Sequence, residues 1–430
     1  MKNKRFSILN MILVLLLFSG IVLDLDNLAL YTFVGRVAIF DMIAILYISG
    51  YLITGRKIRK KAFINKIFLV IMIFSIYILF SGLIVSQLES VAATGALSYA
   101  FKYSIYSLLV LTIVNQLNSD ERYLTGYVDT WILFSIVVLF IGVFQILAVN
   151  GVPFFSRYFL WENIRGGGAR IASTFRWQGP LVLFIGLSVP LIIGKIIYTT
   201  SKFKQNMYIL LIMGLFVVGI FSGSRSFLLM LPSIALIPVV KFFSQKRFVL
   251  KLRHLIFISL PIFLAYQFSE TLLSSSAVIR LFGLDGAIGV ASEFSHDPRI
   301  RIIRSGFEVW RNTPYLGIGS SNMHILVGDA SHNTYVEVLF ENGLIGFSLY
   351  LLFSIFLFRI CWTLFKDGFK NRNYHNIVVV SSLLNVYIYQ FTASAIQYRI
   401  FWSFLPILIT THYFNTKKNS VTNDNRQKGS

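Results

Sequence analysis

Apolar runs of membrane length recur from one end of this chain to the other, and they constrain its fold more than any other feature. Stretches of roughly 17 to 25 residues, each enough for one spanning helix, lie near 6–23, 28–53, 66–87, 95–115, 124–149, 178–198, 207–222, 226–243, 254–270, 344–363, 377–394 and 396–414. A segment in lipid must satisfy its own backbone, so such runs predict helices. The chain is 56% hydrophobic and 13% charged, too little polar surface to cover a soluble core of this size. The fold class expected is an all-α integral membrane protein with about twelve transmembrane helices. The basic start Met1-Lys2-Asn3-Lys4-Arg5 resembles a signal peptide, but the apolar run exits through Leu23-Asp24-Leu25-Asp26 without a small-residue cleavage site. A retained first helix is expected.

Lysine and arginine set the orientation. Arg56-Lys57-Ile58-Arg59-Lys60-Lys61, the run from Lys246 to Arg253, the N-terminal bases and Lys417/Lys418 all fall on one side of this layout. That side is assigned to the cytoplasm, with both termini inside. The net charge of +21 and the pI near 10.0 then follow from positive-inside topology rather than from a nucleic-acid partner. Residues 1–416 form one polytopic membrane domain in this reading, with outer loops at 150–177 and 271–343. Residues 417–430 are expected to be a disordered cytoplasmic tail. The split between the seventh and eighth spans falls at Ser222-Gly223-Ser224.

The outer bases are almost all arginine; the exception is Lys102, inside the fourth span. Arginine's planar fork suits phosphate oxygens, so the bias points to an anionic ligand. Arg225 stands at the mouth of two short spans. In the second outer loop, Asp297 and Pro298 predict a helix start. The helix that follows carries Ile300, Ile303, Phe307 and Trp310 on one face, and Arg301, Arg304, Glu308 and Arg311 on another. Leu316-Gly317-Ile318-Gly319 lacks the spacing and lysine of a phosphate loop and is expected to be a tight turn. Ser331 can cap a short helix running to Asn342, broken by Gly343 before the tenth span. That places His332 at the helix start, with Glu337 and Glu341 one and two turns on. His296 and His324 share the loop without this context. Arg36, Asp41 and Lys102 are intramembrane charges, for which mutual pairing is expected. The one cysteine, Cys361, can form no internal disulfide, and no Cys/His spacing suits a metal.

The run His332-Asn333, nine residues, Gly343, two residues, Gly346 resembles the signature of the bacterial O-antigen ligase and polysaccharide polymerase superfamily. Arg225 with Leu229 four positions on is similar to its arginine–leucine signature. The helix ending at Trp310 followed by Gly317-Ile318-Gly319, and the segment Arg170-Ile171-Ala172-Ser173-Thr174-Phe175, are similar to further motifs. Arg176-Trp177-Gln178 departs from the pattern, in which many members carry His or Asn before a proline. The resemblance implies a multi-span, metal-free glycosyltransferase of the GT-C type. Such enzymes take a glycan from polyprenyl diphosphate at the outer face of the bacterial cytoplasmic membrane.

Within that resemblance His332 is the expected general base. Arg225, Arg301 and Arg304 are the expected diphosphate contacts, and Asn333 and Glu337 would orient the histidine or the acceptor. No cofactor or metal is expected. The substrate is a polyprenyl-diphosphate-linked oligosaccharide presented from membrane lipid, with a flippase and a chain-length regulator as expected neighbours. The activity expected is polymerisation of repeat units into O-antigen, capsule or exopolysaccharide. A ligase that hands the glycan to a final acceptor uses the same motifs. A flippase or transporter suits twelve spans but favours repeated halves and midplane sites. A non-catalytic assembly scaffold would not need the arginine and histidine set.

Overall fold

The computed structural model describes residues 2–22, 30–32, 35–54, 62–88, 93–159, 170–244, 298–328 and 331–428. The expected ninth span at 254–270, His296 and the cap Asp297 lie outside the described residues.

Helices account for nearly all of what is described. In order they are α1 (Lys2–Ile21), α2 (Ile39–Ile53), α3 (Ala62–Leu88), α4 (Thr94–Leu117), α5 (Glu121–Val149) and α6 (Pro153–Phe159). Then come α7 (Gln178–Tyr198), α8 (Lys202–Phe221), α9 (Ser226–Ser244), α10 (Pro298–Trp310) and α11 (Met323–Val327). The last three are α12 (Thr334–Lys370), α13 (Tyr374–Gln390) and α14 (Arg399–Lys428). Among the described residues, 6 helices are long and apolar enough to cross a membrane: Lys66–Gln87, Thr94–Leu117, Glu121–Val149, Gln178–Tyr198, Lys202–Phe221 and Thr334–Lys370. Ile8–Ile21, Ile39–Ile53 and Ser226–Lys241 are shorter apolar helices.

Two details depart from the sequence reading, the second apolar run and the C-terminal tail. The second apolar run, 28–53, is not one helix. Its first part is a small antiparallel hairpin, β1 (Leu30–Thr32) with β2 (Gly35–Val37), in the register Leu30↔Val37 and Tyr31↔Arg36. The aromatic and β-branched residues there suit a strand, and apolar content alone cannot tell the two states apart. Helix α12 is broken at Gly343 (φ 64, ψ −173), where the sequence placed the break. Helix α14 continues to Lys428, so the backbone of 417–428 is helical where composition alone suggested disorder. The break between α8 and α9 falls where the Ser222-Gly223-Ser224 turn placed it, with Gly223 at φ 59.

The chain forms two compact units. The first comprises Met1–Thr130, Ser292–Leu364 and Gln390–Ser430. Its helix α4 packs against α2, α3 and α14, and α1 packs against α2 and α14. Trp402 of α14 lies at the centre, stacked on Phe353 and tilted against Tyr103 and Tyr106. The second unit comprises Trp131–Ala291 and Phe365–Tyr389. Here α7 is the central helix, packed against α8 and α9. Leu181, Val182, Leu183, Phe184, Ile185, Leu187 and Val189 are all fully buried, as expected of a helix apolar on every side. Two polar pairs lie in this core: Trp131 donates to Ser188 at 2.9 Å, and Asn385 donates to the Gly186 carbonyl at 2.6 Å.

Candidate active site

The histidine motif begins α12 in the first unit. The capping residue is Asn333 rather than Ser331. Its Oδ1 accepts from the backbone N–H groups of Tyr335 (3.0 Å) and Val336 (3.2 Å), satisfying two of the donors that a helix start leaves open. Ser331 supports the cap: its hydroxyl donates to the Asn333 carbonyl at 2.9 Å and accepts from the Asn333 N–H at 3.2 Å. His332 is caught between them, exposed, with φ 51. A left-handed backbone on a side chain other than glycine costs about 1–3 kcal/mol and persists only where the surroundings enforce it.

Gly343 and Gly346 owe their place to packing. At Gly343 the chain leaves the helix just where the 313–319 segment crosses it. Ile318 N–H donates to the Phe340 carbonyl, Gly319 N–H to that of Glu341, and Leu344 N–H to that of Pro314, each at 2.9 Å. A Cβ on Gly343 would meet the Tyr315 carbonyl and lie 2.6 Å from the Gly317 nitrogen. One on Gly346 would sit 2.8 Å from the Tyr77 ring, whose hydroxyl donates to the Tyr315 and Asn342 carbonyls at 3.0 and 2.8 Å. Gly317 and Gly319 have φ 78 and 83. The Leu316–Gly319 run is therefore the expected tight turn, and its task is to lock the kink.

The two carboxylates of the motif point into the first unit. Glu337 and Glu341 are 7% and 6% exposed. Two carboxyl groups a turn apart and out of water need hydrogen-bond partners. Glu337 finds them in the Ser394 hydroxyl and the Gln397 amide, and Glu341 in the backbone N–H groups of Ser321 and Met323. A cavity of about 10 Å³, room for roughly one water, lies between them. Tyr99, Tyr103, Ser320, Thr334 and Asn342 also line it. The 391–398 segment is thus stapled to α12: Thr334 also donates to the Ala393 carbonyl at 2.7 Å and accepts from the Ala395 N–H at 3.2 Å. Ser394 and Gln397 were not singled out by the sequence, because only tertiary folding brings them to Glu337.

Arg301 and Arg304 lie on the exposed face of α10, as the periodicity placed them. The buried face is rotated from the expected one. Ile302 is 8% exposed and joins Ile318, Met323 and Phe340 in a core, whereas Phe307 is 40% exposed. Gly306 causes the rotation: the Phe340 ring lies 2.7 Å from where its Cβ would be, so Phe340 packs over Gly306. His324 sits exposed on α11.

Arg225 lies in the second unit, exposed, immediately before α9. The Arg170–Phe175 segment docks on the same turn. Its Ile171 N–H donates to the Phe221 carbonyl at 3.3 Å, and Arg170 Nε to the Ser222 carbonyl at 3.1 Å. The middle of the segment is buried, and Gln145 of α5 clips it in place. The Gln145 amide donates to the Ser173 carbonyl at 2.9 Å and accepts from the N–H groups of Ala172 and Ser173 at 3.1 and 2.7 Å. Arg176 lies 5.1 Å from the Trp177 ring centroid, a cation–π arrangement.

Of the three intramembrane charges, the Arg36 side chain lies outside those described. Asp41, 1% exposed, accepts from Tyr106 at 2.8 Å and from the Ala38 N–H at 2.9 Å, and lies 4.0 Å from Arg399 Nε. Lys102 stands 5.9 Å from the centroid of the Tyr99 ring. Arg399 escaped notice because it sits inside an apolar run, at the start of α14.

Long apolar helices, together with a histidine turn fixed by a cap and a glycine kink, define a multi-span membrane protein. Residues 182–351 match the family model described as O-antigen ligase. The matched stretch contains the histidine motif and both of its glycines. No curated protein matches the chain.

Proposed function

We propose that this protein is a membrane glycosyltransferase that polymerises lipid-diphosphate-linked oligosaccharide repeat units into a surface polysaccharide, at the outer face of the bacterial cytoplasmic membrane. Both termini lie in the cytoplasm in this proposal. The acceptor hydroxyl attacks the anomeric carbon of the donor glycan. The bond from that carbon to the diphosphate oxygen breaks, and the lipid diphosphate leaves with the electron pair. The proton of the hydroxyl passes to His332. Arg225, Arg301 and Arg304 are assigned to the charge of the diphosphate, which grows as it leaves. Asn333 positions His332 through the helix cap, and Glu337 through the staple to 391–398.

The observation that carries this reading is the backbone of His332. An exposed histidine is held at φ 51 by a serine–asparagine cap, and strain of this kind concentrates at functional sites. A second reading, a ligase that hands the glycan to a final acceptor, is favoured by the match of residues 182–351 to the O-antigen ligase family model. Purified protein given only the lipid-diphosphate repeat unit separates the two. A glycan ladder with release of lipid diphosphate supports a polymerase. Product only when a distinct final acceptor is added supports the ligase, and no transfer with either removes the glycosyltransferase reading.

A further inference from the structure

Two arginines far apart in sequence meet at one turn of the second unit. Arg225 follows the Ser222-Gly223-Ser224 turn, and Arg170 is fixed to that turn through its Nε bond to the Ser222 carbonyl at 3.1 Å. We propose that Arg170 and Arg225 form one diphosphate-binding site, with Arg170 as a substrate-binding residue. The proposal rests on the lipid-diphosphate donor argued above and adds a residue that the sequence left without a role.

Three observations support it. First, the backbone that carries Arg170 is built to be rigid. Ile171, Ser173, Thr174 and Phe175 have no exposed surface and Ala172 has 1%. Gln145, itself fully buried, is committed to the segment's backbone. The Ser173 hydroxyl donates to the Val138 carbonyl at 2.5 Å, and Ser173 takes φ 53. So many constraints on five residues hold the position of the arginine that precedes them. Second, the turn that receives Arg170 is itself fixed. Gly223 takes φ 59, the Ser222 hydroxyl donates to the Gly219 carbonyl at 2.6 Å, and that same hydroxyl accepts from the Ser224 N–H at 3.3 Å. Third, the Nε bond sets the plane of the Arg170 guanidinium at this turn. A fork whose plane is already set loses less freedom on gripping phosphate oxygens than a mobile lysine would. Two forks carried by one turn would match the charge and the oxygen count of a diphosphate better than those of a single phosphate.

The test uses full-length protein in detergent and compares Arg170→Gln, Arg170→Lys, Arg225→Gln and the double Arg170→Gln/Arg225→Gln. Glutamine at 170 can still donate to the Ser222 carbonyl but carries no charge, so it separates an anion contact from a structural pin. If the proposal holds, Arg170→Gln raises the donor KM by about 10- to 100-fold, with a monodisperse protein. The double variant then loses less than the product of the single losses, because both arginines hold one ligand. Binding is read independently as thermal protection by farnesyl diphosphate. Wild type should be protected, and Arg170→Gln and Arg225→Gln should not. Arg170→Lys should fall between the two, and if Arg170→Gln proves unstable this milder variant carries the comparison. Equal protection by phosphatidylglycerol would make the site a lipid-headgroup site and overturn the assignment. Glycan product with unchanged donor KM and unchanged protection in Arg170→Gln overturns it too, while leaving the glycosyltransferase reading intact. Arg170-dependent protection in a protein that makes no glycan upholds the site and removes the reading on which its substrate rests.

Discussion

Replacing Gly343 with alanine tests the kink that separates the histidine helix from the span after it. At φ 64 and ψ −173 the residue occupies a region open almost only to glycine, so alanine costs about 1–3 kcal/mol in backbone strain. The added Cβ would also overlap the Tyr315 carbonyl and lie 2.6 Å from the Gly317 nitrogen. These are backbone atoms, which no rotamer change can move. Relief requires the 313–319 segment to lift, and that strips the backbone bonds of Ile318, Gly319 and Leu344, each worth about 1 kcal/mol. The sum is roughly 4–6 kcal/mol. Gly328 is the control. It has φ 91 with nothing within 4 Å of its Cβ position, so alanine there costs only the backbone term of about 1–2 kcal/mol. The assay is the fraction of monodisperse protein left after heating in detergent, read by size-exclusion chromatography. Gly343→Ala should be lost at a clearly lower temperature than Gly328→Ala. Equal losses would mean that the contact between 313–319 and the kink does not hold this part of the molecule together.

Three further outcomes are expected. Gln145→Ala leaves the N–H groups of Ala172 and Ser173 and the Ser173 carbonyl buried without their partner, at a cost of about 1–3 kcal/mol per group; melting in detergent should show a drop well beyond that of a substitution at an exposed residue such as Thr125→Ala. Gly126 lies within α5 with nothing within 4 Å of its Cβ position, so Gly126→Ala should leave activity unchanged and add up to about 1 kcal/mol of helix stability, seen as a higher melting temperature. Arg225→Lys keeps the charge and loses the fork, so polymer made in cells should fall sharply at equal expression. Free exchange by lysine would contradict two-pronged recognition at that position.

The lipid-facing architecture was legible in the sequence because hydropathy states it directly. Helices α3, α4, α5 and α7 fall close to the runs that announced them, and the break at Gly223 came where small polar residues interrupt an apolar stretch. Features set by partners elsewhere in the chain were not legible. The hairpin at 30–37 hides in an apolar run, since strands and helices of similar hydropathy look alike. The buried face of α10 turns on Gly306, whose missing side chain matters only because Phe340 lies above it. Asn333 and Ser331 are adjacent candidates for one cap, and only their hydrogen bonds separate them. The histidine motif itself stood out by order and spacing. Its supports did not, because Ser394, Gln397 and Tyr77 are polar side chains in apolar helices or loops whose partners lie far away in sequence.

His332 carries the central claim, so its substitution is the most direct measurement. Purified wild type, His332→Ala, His332→Gln and His324→Ala would be given the same lipid-diphosphate repeat unit, and product would be followed on gels together with released lipid diphosphate. General-base catalysis contributes about 10²–10⁴-fold. His332→Ala and His332→Gln should therefore both fall by at least about 100-fold, while His324→Ala, exposed on α11, keeps most of its activity. A glutamine variant that still builds polymer would contradict the account, because an amide can hold the acceptor hydroxyl but cannot take its proton.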